Sequence, residues 1–193
     1  MANRFVGRDH SERLESIIGG SVDWRTKTIY ISGEVNGEMA HRLIPVIRLL
    51  DEDKSQITVV LSSPGGEEAA GFAIFDSLVA TQNQVEVQGF GGVYSIAALI
   101  FQAGDVRKLG PNAQVMMHNG SIELTGYIDT DKIQELSGDA ARNNRRYHRA
   151  ISTRCDVDLK VVEDWCKVER TFSAQEALEE GLADGIIESW KDL

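Results

Sequence analysis

The sequence predicts an α/β fold with mainly parallel strands. Three observations carry that expectation. Strand-like and helix-like stretches alternate from residue 27 to the end of the chain. Ile57–Leu61 (ITVVL) is a continuous apolar run, as in a strand covered on both faces. The Ser63–Gly66 turn, Ser95 and His118 each follow directly on a predicted strand, where parallel α/β sheets open a crevice for ligands.

In chain order, residues 1–26 are mixed and weakly patterned, with a break expected at Gly19-Gly20. Lys27–Ser32 alternates and is β-branched, so it reads as a strand ended by Gly33. Met39, Leu43, Ile44, Val46, Ile47 and Leu50 recur at helical spacing over Gly37–Leu50, which Pro45 interrupts only mildly. After Ile57–Leu61, the turn Ser62-Ser63-Pro64-Gly65-Gly66 leads into a helix over Glu67–Thr81. Val85–Gln88 alternates as the end of a strand, and Gly89, Gly91 and Gly92 then allow a sharp turn. From Ser95 the apolar IAALIFQAG reads as a buried helix closed by Gly104. Ala113–Met117 reads as another strand, and Ser121–Gly126 is extended in character. Asp129–Thr153 is a long charged helix with Arg142, Arg145, Arg146 and Arg149 clustered, and Leu159–Cys166 is a further helix. Ser173-Ala174-Gln175-Glu176 spells a capping box for a helix ending near Gly181, and Gly185–Glu188 reads as a last strand.

Composition sets the outer limits. At 193 residues, with 42% hydrophobic and 26% charged residues, the chain fits one domain spanning 1–193 with a real core. A net charge of −10 argues against binding phosphate backbones, so no nucleic-acid partner is expected. The opening MANRFVGRDHSERLE lacks an apolar signal region, and no apolar run reaches membrane-spanning length. The expectation is a cytoplasmic protein without membrane contact, cofactor or metal. Cys155 and Cys166 lie 11 apart, a spacing that fits one helix face; they read as buried thiols, since there is no CxxC and no nearby His pair.

Ser95 falls where a strand turns into a helix, near the positive end of the helix dipole. Such a hydroxyl can serve as a nucleophile with backbone N–H groups beside it, or simply cap the helix. Paired glycines at Gly65-Gly66 let N–H groups face a site without a side chain in the way. His118 adds a base. Together these supply a nucleophile, a general base and an oxyanion hole. His10, in the weakly patterned N-terminus, and His41 and His148, on charged helices, read as surface residues. The surroundings GVYSIAA do not spell G-x-S-x-G, so an α/β-hydrolase elbow is not indicated. Spacing alone leaves the orienting acid open among Asp129, Asp131, Glu163, Asp164 and Glu169.

Four segments resemble the proteolytic subunit of the Clp protease: SSPGG at 62–66, GGVYSIAALIFQAGD at 91–105, GPNAQVMMHNG at 110–120 and ERTFSAQEALEEGLADGII at 169–187. The resemblance runs from about Thr28 to Ile187. It implies a ClpP/crotonase-like spiral of β-β-α units with a protruding strand–helix handle at 121–153, behind a divergent segment at 1–26. Ser95 would be the nucleophile, His118 the base and Glu169, in place of the usual Asp, the orienting acid. Gly66 and Ile96 would give the oxyanion-hole N–H groups. Substrate would add as a strand beside Gly65 and Ser121, Ile122, Glu123, Leu124 and Thr125. Heptameric rings stacked into a tetradecamer, an ATP-dependent unfoldase partner and polypeptide substrates are further implications. The chain departs from the family at Asn119-Gly120, where Gln-Pro is usual, and at Tyr94 and Ile96. A compact, divergent version of this kind also fits a phage-encoded protein. Two other classes stay open: a non-catalytic Clp-like structural subunit, and an acyl-CoA enzyme of the crotonase type.

Overall fold

The architecture comes from a computed structural model, which describes residues 3–122 and 126–189. The chain opens with helix α1 (Asn3–Gly20), where the sequence shows only weak patterning. Strand β1 (Val22–Asp23) then pairs antiparallel with β2 (Thr28–Ser32). The Asp23 carboxylate is buried and accepts hydrogen bonds from Arg13 of α1 at 2.6 Å and from the Thr26 hydroxyl at 2.8 Å, so it ties α1 to the sheet edge.

Helix α2 (Gly37–Leu50) starts where the Asn36 side chain accepts the Met39 N–H at 2.9 Å. It runs through Pro45 and buries Met39, Ala40, Leu43, Ile47 and Leu50. Strand β3 (Ile57–Ser63), helix α3 (Glu68–Val79), strand β4 (Val85–Tyr94) and helix α4 (Ile96–Phe101) follow. Next come β5 (Val106–Leu109), β6 (Gln114–Met116), α5 (Thr130–Cys155), α6 (Leu159–Lys167), β7 (Thr171–Ser173), α7 (Ala174–Glu179) and β8 (Gly185–Ile186). The capping box predicted at Ser173 is formed, with Glu176 reaching back to the Ser173 N–H at 2.8 Å.

The main sheet runs β1-β2-β3-β4-β5-β8, parallel from β2 onward. Strand β4 is the hinge of the topology. Its first half, Glu86–Gly89, pairs with β5, and its last residues, Gly92–Tyr94, pair with β6. The predicted sharp turn after Gln88 is therefore absent: the strand continues to Tyr94 through a bulge. Leu61 faces Gly89 while Ser63 faces Val93, so β4 spends two extra residues there. Gly91, at φ 62°, takes the backbone conformation this requires. The bend lets one strand serve two neighbours, and it brings β6 alongside the end that carries Ser95.

Every strand from β2 to β4 is lined by fully buried aliphatics, among them Ile29, Ile31, Ile57, Val59, Leu61 and Val87. Burying one such side chain stabilises by about 1.5–3 kcal/mol. Helix α4 is buried along its whole length and packs on α3, where a Cβ on Gly71 would lie 2.1 Å from Ile96 Cγ1. Helices α3 and α4 can approach this closely only because residue 71 has no side chain.

Cys155 and Cys166 are both buried free thiols, but they lie on α5 and α6 rather than on one helix face. Asp156, left-handed at φ 54°, breaks the helix between them. Burial pushes the Cys155 thiol up to about 11 and the Cys166 thiol up to about 12. The extended stretch expected at Ser121–Gly126 is not a strand at Ser121 or Ile122, which belong to no regular element; Glu123, Leu124 and Thr125 lie outside the described residues. Among the described residues no helix is long and apolar enough to cross a membrane.

Candidate active site

The site is built on the ends of β3, β4 and β6. At the end of β3, the Ser63 hydroxyl donates to Gly33 O at 2.6 Å and accepts the Gly65 N–H at 3.0 Å, fixing the turn. Gly65 and Gly66 have φ of 96° and 146°, conformations that side chains disfavour. Val35 brackets Gly66: its N–H donates to Gly65 O at 2.7 Å, and its carbonyl accepts the Glu67 N–H at 2.8 Å. In a parallel bridge of this pattern, the N–H and C=O of Gly66 point to the edge away from Val35. On that turn, a Cβ at Gly65 would lie 2.6 Å from Ser95 Cβ and 2.8 Å from Tyr94 O. Gly65 is thus pressed against the serine.

Ser95 stands between β4 and α4 with φ 57° and ψ −128°, an unusual conformation for a residue with a side chain. Its N–H donates to Met116 O at 2.8 Å, extending the β4–β6 ladder by one step. Its own hydroxyl caps nothing, so the simple N-cap role is not used. Ile96, the first residue of α4, has an N–H with no partner inside the helix. Parallel pairing of β4 with β6 carries Ser95 and His118 to the same end of adjacent strands. There His118 Nε2 lies 2.8 Å from Ser95 Oγ. With its proton on Nδ1, the imidazole accepts from the hydroxyl and is placed to take its proton.

Glu169 is not hydrogen-bonded to His118 among the described contacts, and its side chain is exposed. Strand β6 pairs antiparallel with β7 (Met116 with Thr171), and Met117 N–H donates to Arg170 O at 3.1 Å. The ladder ends there, since the Arg170 N–H donates to Trp165 O at 3.0 Å. Glu169 sits at φ 53°, where the chain leaves α6 to enter β7.

His148 corrects the sequence reading: it is buried, not on the surface. Its Nε2 lies 2.9 Å from Asn119 Oδ1, beside the base. Burial lowers its pKa, partly opposed by the charge of Glu163. The charged neighbours on α5 hid the inward face on which Tyr147, His148, Ile151 and Cys155 lie.

Residues that sequence reasoning missed close the site. Tyr147 donates its hydroxyl to Ser95 O at 3.0 Å, and Asn144 Oδ1 accepts the Gly120 N–H at 2.8 Å. A narrow cleft beside Ser95 is lined by Glu68, Ile96, His118, Gly120, Asn144 and Tyr147. Ser63 was legible only as part of the SSPGG turn; Tyr147 and Asn144 could be found only as inward positions of a long polar helix. Ser121 and Ile122 are exposed next to this cleft in sequence but form no ladder. Among the described residues no group of three or more His, Cys, Asp or Glu is placed to hold a metal ion.

Comparison with known proteins points to one family. The family profile described as Clp protease matches residues 11–190. The chain is 30% identical over 173 residues to the chloroplastic ATP-dependent Clp protease proteolytic subunit 6 of Arabidopsis thaliana, covering 88% of this chain and 63% of that protein, less than two thirds of its length. It is 29% identical to ATP-dependent Clp protease proteolytic subunit 2 of Thermobifida fusca, covering 88% of this chain and 84% of the relative. Among solved structures, a ClpP1 mutant from Listeria monocytogenes superposes with a TM-score of 0.79 at 26% identity, over 86% of this chain and 94% of the other.

Proposed function

This chain belongs to the Clp protease family, and we propose that it is a catalytically active proteolytic subunit, a serine endopeptidase that hydrolyses unfolded polypeptides. The observation that carries the reading is the 2.8 Å contact between Ser95 Oγ and His118 Nε2. Ser95 Oγ attacks the carbonyl carbon of the scissile bond while His118 takes its proton. The N–H groups of Gly66 and Ile96 hold the developing oxyanion. Collapse expels the amine, protonated by His118, and leaves an acyl ester on Ser95. Water, deprotonated by His118, then releases the acid. Glu169, where the chain leaves α6 to enter β7, orients the imidazole and stabilises its charged form.

Substrate adds as a strand beside Gly65 and the segment Ser121, Ile122, Glu123, Leu124 and Thr125. Backbone hydrogen bonding of this kind gives affinity with little demand on sequence. The subunit assembles into heptameric rings stacked as a cytoplasmic tetradecamer, fed by an ATP-dependent unfoldase. Fully exposed Tyr127, just before α5, and exposed Ile133, in its first turns, support a contact there with another subunit.

Hydrolysis of unstructured casein by assembled particles, wild type beside Ser95→Ala, tests the activity. The expected result is cleavage by wild type and none by the variant. Equal cleavage by both, or intact assembled wild type that cleaves nothing, overturns it and favours a structural subunit.

A further inference from the structure

We propose that His148 is a positioning residue for the general base: from α5 it holds Asn119, and through Asn119 it fixes where the His118 imidazole stands. The inference rests on the peptidase reading and adds a residue to its machinery.

The base lies on a segment with few anchors of its own. Its upstream anchor is the end of β6, where Met117 N–H donates to Arg170 O at 3.1 Å. Downstream, Ser121 and Ile122 belong to no regular element. Among the described residues, two hydrogen bonds fasten the segment beyond His118, and both come from α5. His148 Nε2 lies 2.9 Å from Asn119 Oδ1, and Asn144 Oδ1 accepts the Gly120 N–H at 2.8 Å. Asn119 and Gly120 are also where the chain departs from the Gln-Pro usual in its family. A proline at 120 would have no N–H to give Asn144. Asn144, Tyr147, His148 and Ile151 recur at helical spacing along α5, and Tyr147 reaches the carbonyl of Ser95. One helix therefore grips both the backbone of the nucleophile and the segment that carries the base.

The direction of the bond follows from its chemistry. The amide oxygen of Asn119 has no hydrogen to give, so His148 Nε2 carries the proton and donates it. His148 is only 6% exposed, and burial favours its neutral form. A neutral imidazole has one N–H, and this one is committed to Asn119. A buried N–H that loses its acceptor bears its full desolvation cost, so the bond resists breaking. His118 Nε2, 2.8 Å from Ser95 Oγ, takes the proton only while that distance holds.

The test compares assembled particles of wild type, His148→Met, His148→Gln, Asn119→Ala and the double variant Asn119→Ala/His148→Met. Hydrolysis of one quenched peptide gives kcat and KM separately, and the rate of fluorophosphonate labelling is measured beside them. Methionine fills the space without a donor, whereas the glutamine amide nitrogen falls near the place of Nε2 and still donates. His148→Met is expected to lose on the order of tenfold in kcat and in labelling rate with KM unchanged, as for a sub-ångström shift of the base. His148→Gln is expected to stay within about twofold of wild type. Asn119→Ala is expected to lose as much as His148→Met, and the double variant no more than either. Asn119 is half-buried, so this arm stands even where position 148 does not tolerate methionine. Wild-type kcat in His148→Met or in Asn119→Ala overturns the role, as does an equal loss in His148→Gln and His148→Met, or losses that multiply in the double variant. Wild type that neither cuts the peptide nor reacts with the fluorophosphonate overturns the peptidase reading itself, and the proposal with it.

Discussion

The Tyr147 hydroxyl, on the long helix α5, donates a 3.0 Å hydrogen bond to the carbonyl oxygen of Ser95. It thereby ties α5 to the backbone of the nucleophile. Ser95 holds a sparsely populated conformation, which persists only where neighbours over-determine it. Tyr147→Phe keeps the ring and removes the tie, leaving the Ser95 carbonyl with the Ala98 N–H alone, at 2.9 Å. The expected result is a loss of about 1 kcal/mol of stability in denaturant titration and a fall in kcat larger than any change in KM.

Gly65→Ala tests how closely the β3 turn approaches the serine. The added Cβ would sit 2.6 Å from Ser95 Cβ and 2.8 Å from Tyr94 O, and the residue would have to hold φ 96°. One of the two segments must move, and a shift of about 1 Å at a reacting centre costs on the order of 100-fold in rate. Peptide hydrolysis is therefore expected to fall by about that factor, with circular dichroism unchanged.

Glu169→Gln tests the orienting acid. Glu169 lies two residues before Thr171, the β7 residue that pairs with Met116, and the amide cannot stabilise an imidazolium. A fall of roughly tenfold or more in kcat, with KM little changed, is expected. Unchanged turnover would move the role to another carboxylate.

His148 predicts a pH dependence of stability. Burial lowers its pKa in the native state below the ordinary value of about 6.5. The unfolded chain therefore binds more protons as the medium acidifies. The contribution of His148 is complete above about pH 6.5 and is lost as pH falls through the depressed native value. Wild type is expected to lose more denaturant midpoint than His148→Gln between about pH 7.5 and about pH 5.5. Equal losses would mean that His148 is protonated as easily in the native state as in the unfolded chain.

Much of this was legible from residues that act locally. The ITVVL run, the Gly-Gly turn after it and the Ser173 capping box depend on near neighbours, so pattern alone reveals them. Long-range pairing hid the rest. Gly89, Gly91 and Gly92 look like a turn, yet β3 on one side, with β5 and then β6 on the other, hold them in a bulged strand. Strand β7 is only three residues long and exists because β6 lies beside it. Helix α1 shows little apolar pattern in the sequence, and the bond from Arg13 to Asp23 that ties it to the sheet edge is made across the fold. His148 looked exposed because its neighbours Arg145, Arg146 and Arg149 are charged, while its own position faces inward. At the site, Ser95 and His118 were readable from strand ends, whereas Tyr147, Asn144 and Glu68 reach it from elements that only the fold brings near.

The central claim is that Ser95 is a nucleophile activated by His118. Fluorophosphonate labelling of assembled particles, read by intact mass on wild type, Ser95→Ala and His118→Ala, tests it most directly. The account predicts one adduct per wild-type subunit and none on either variant. Assembled wild type that stays unlabelled, or an adduct that survives in Ser95→Ala, would contradict it.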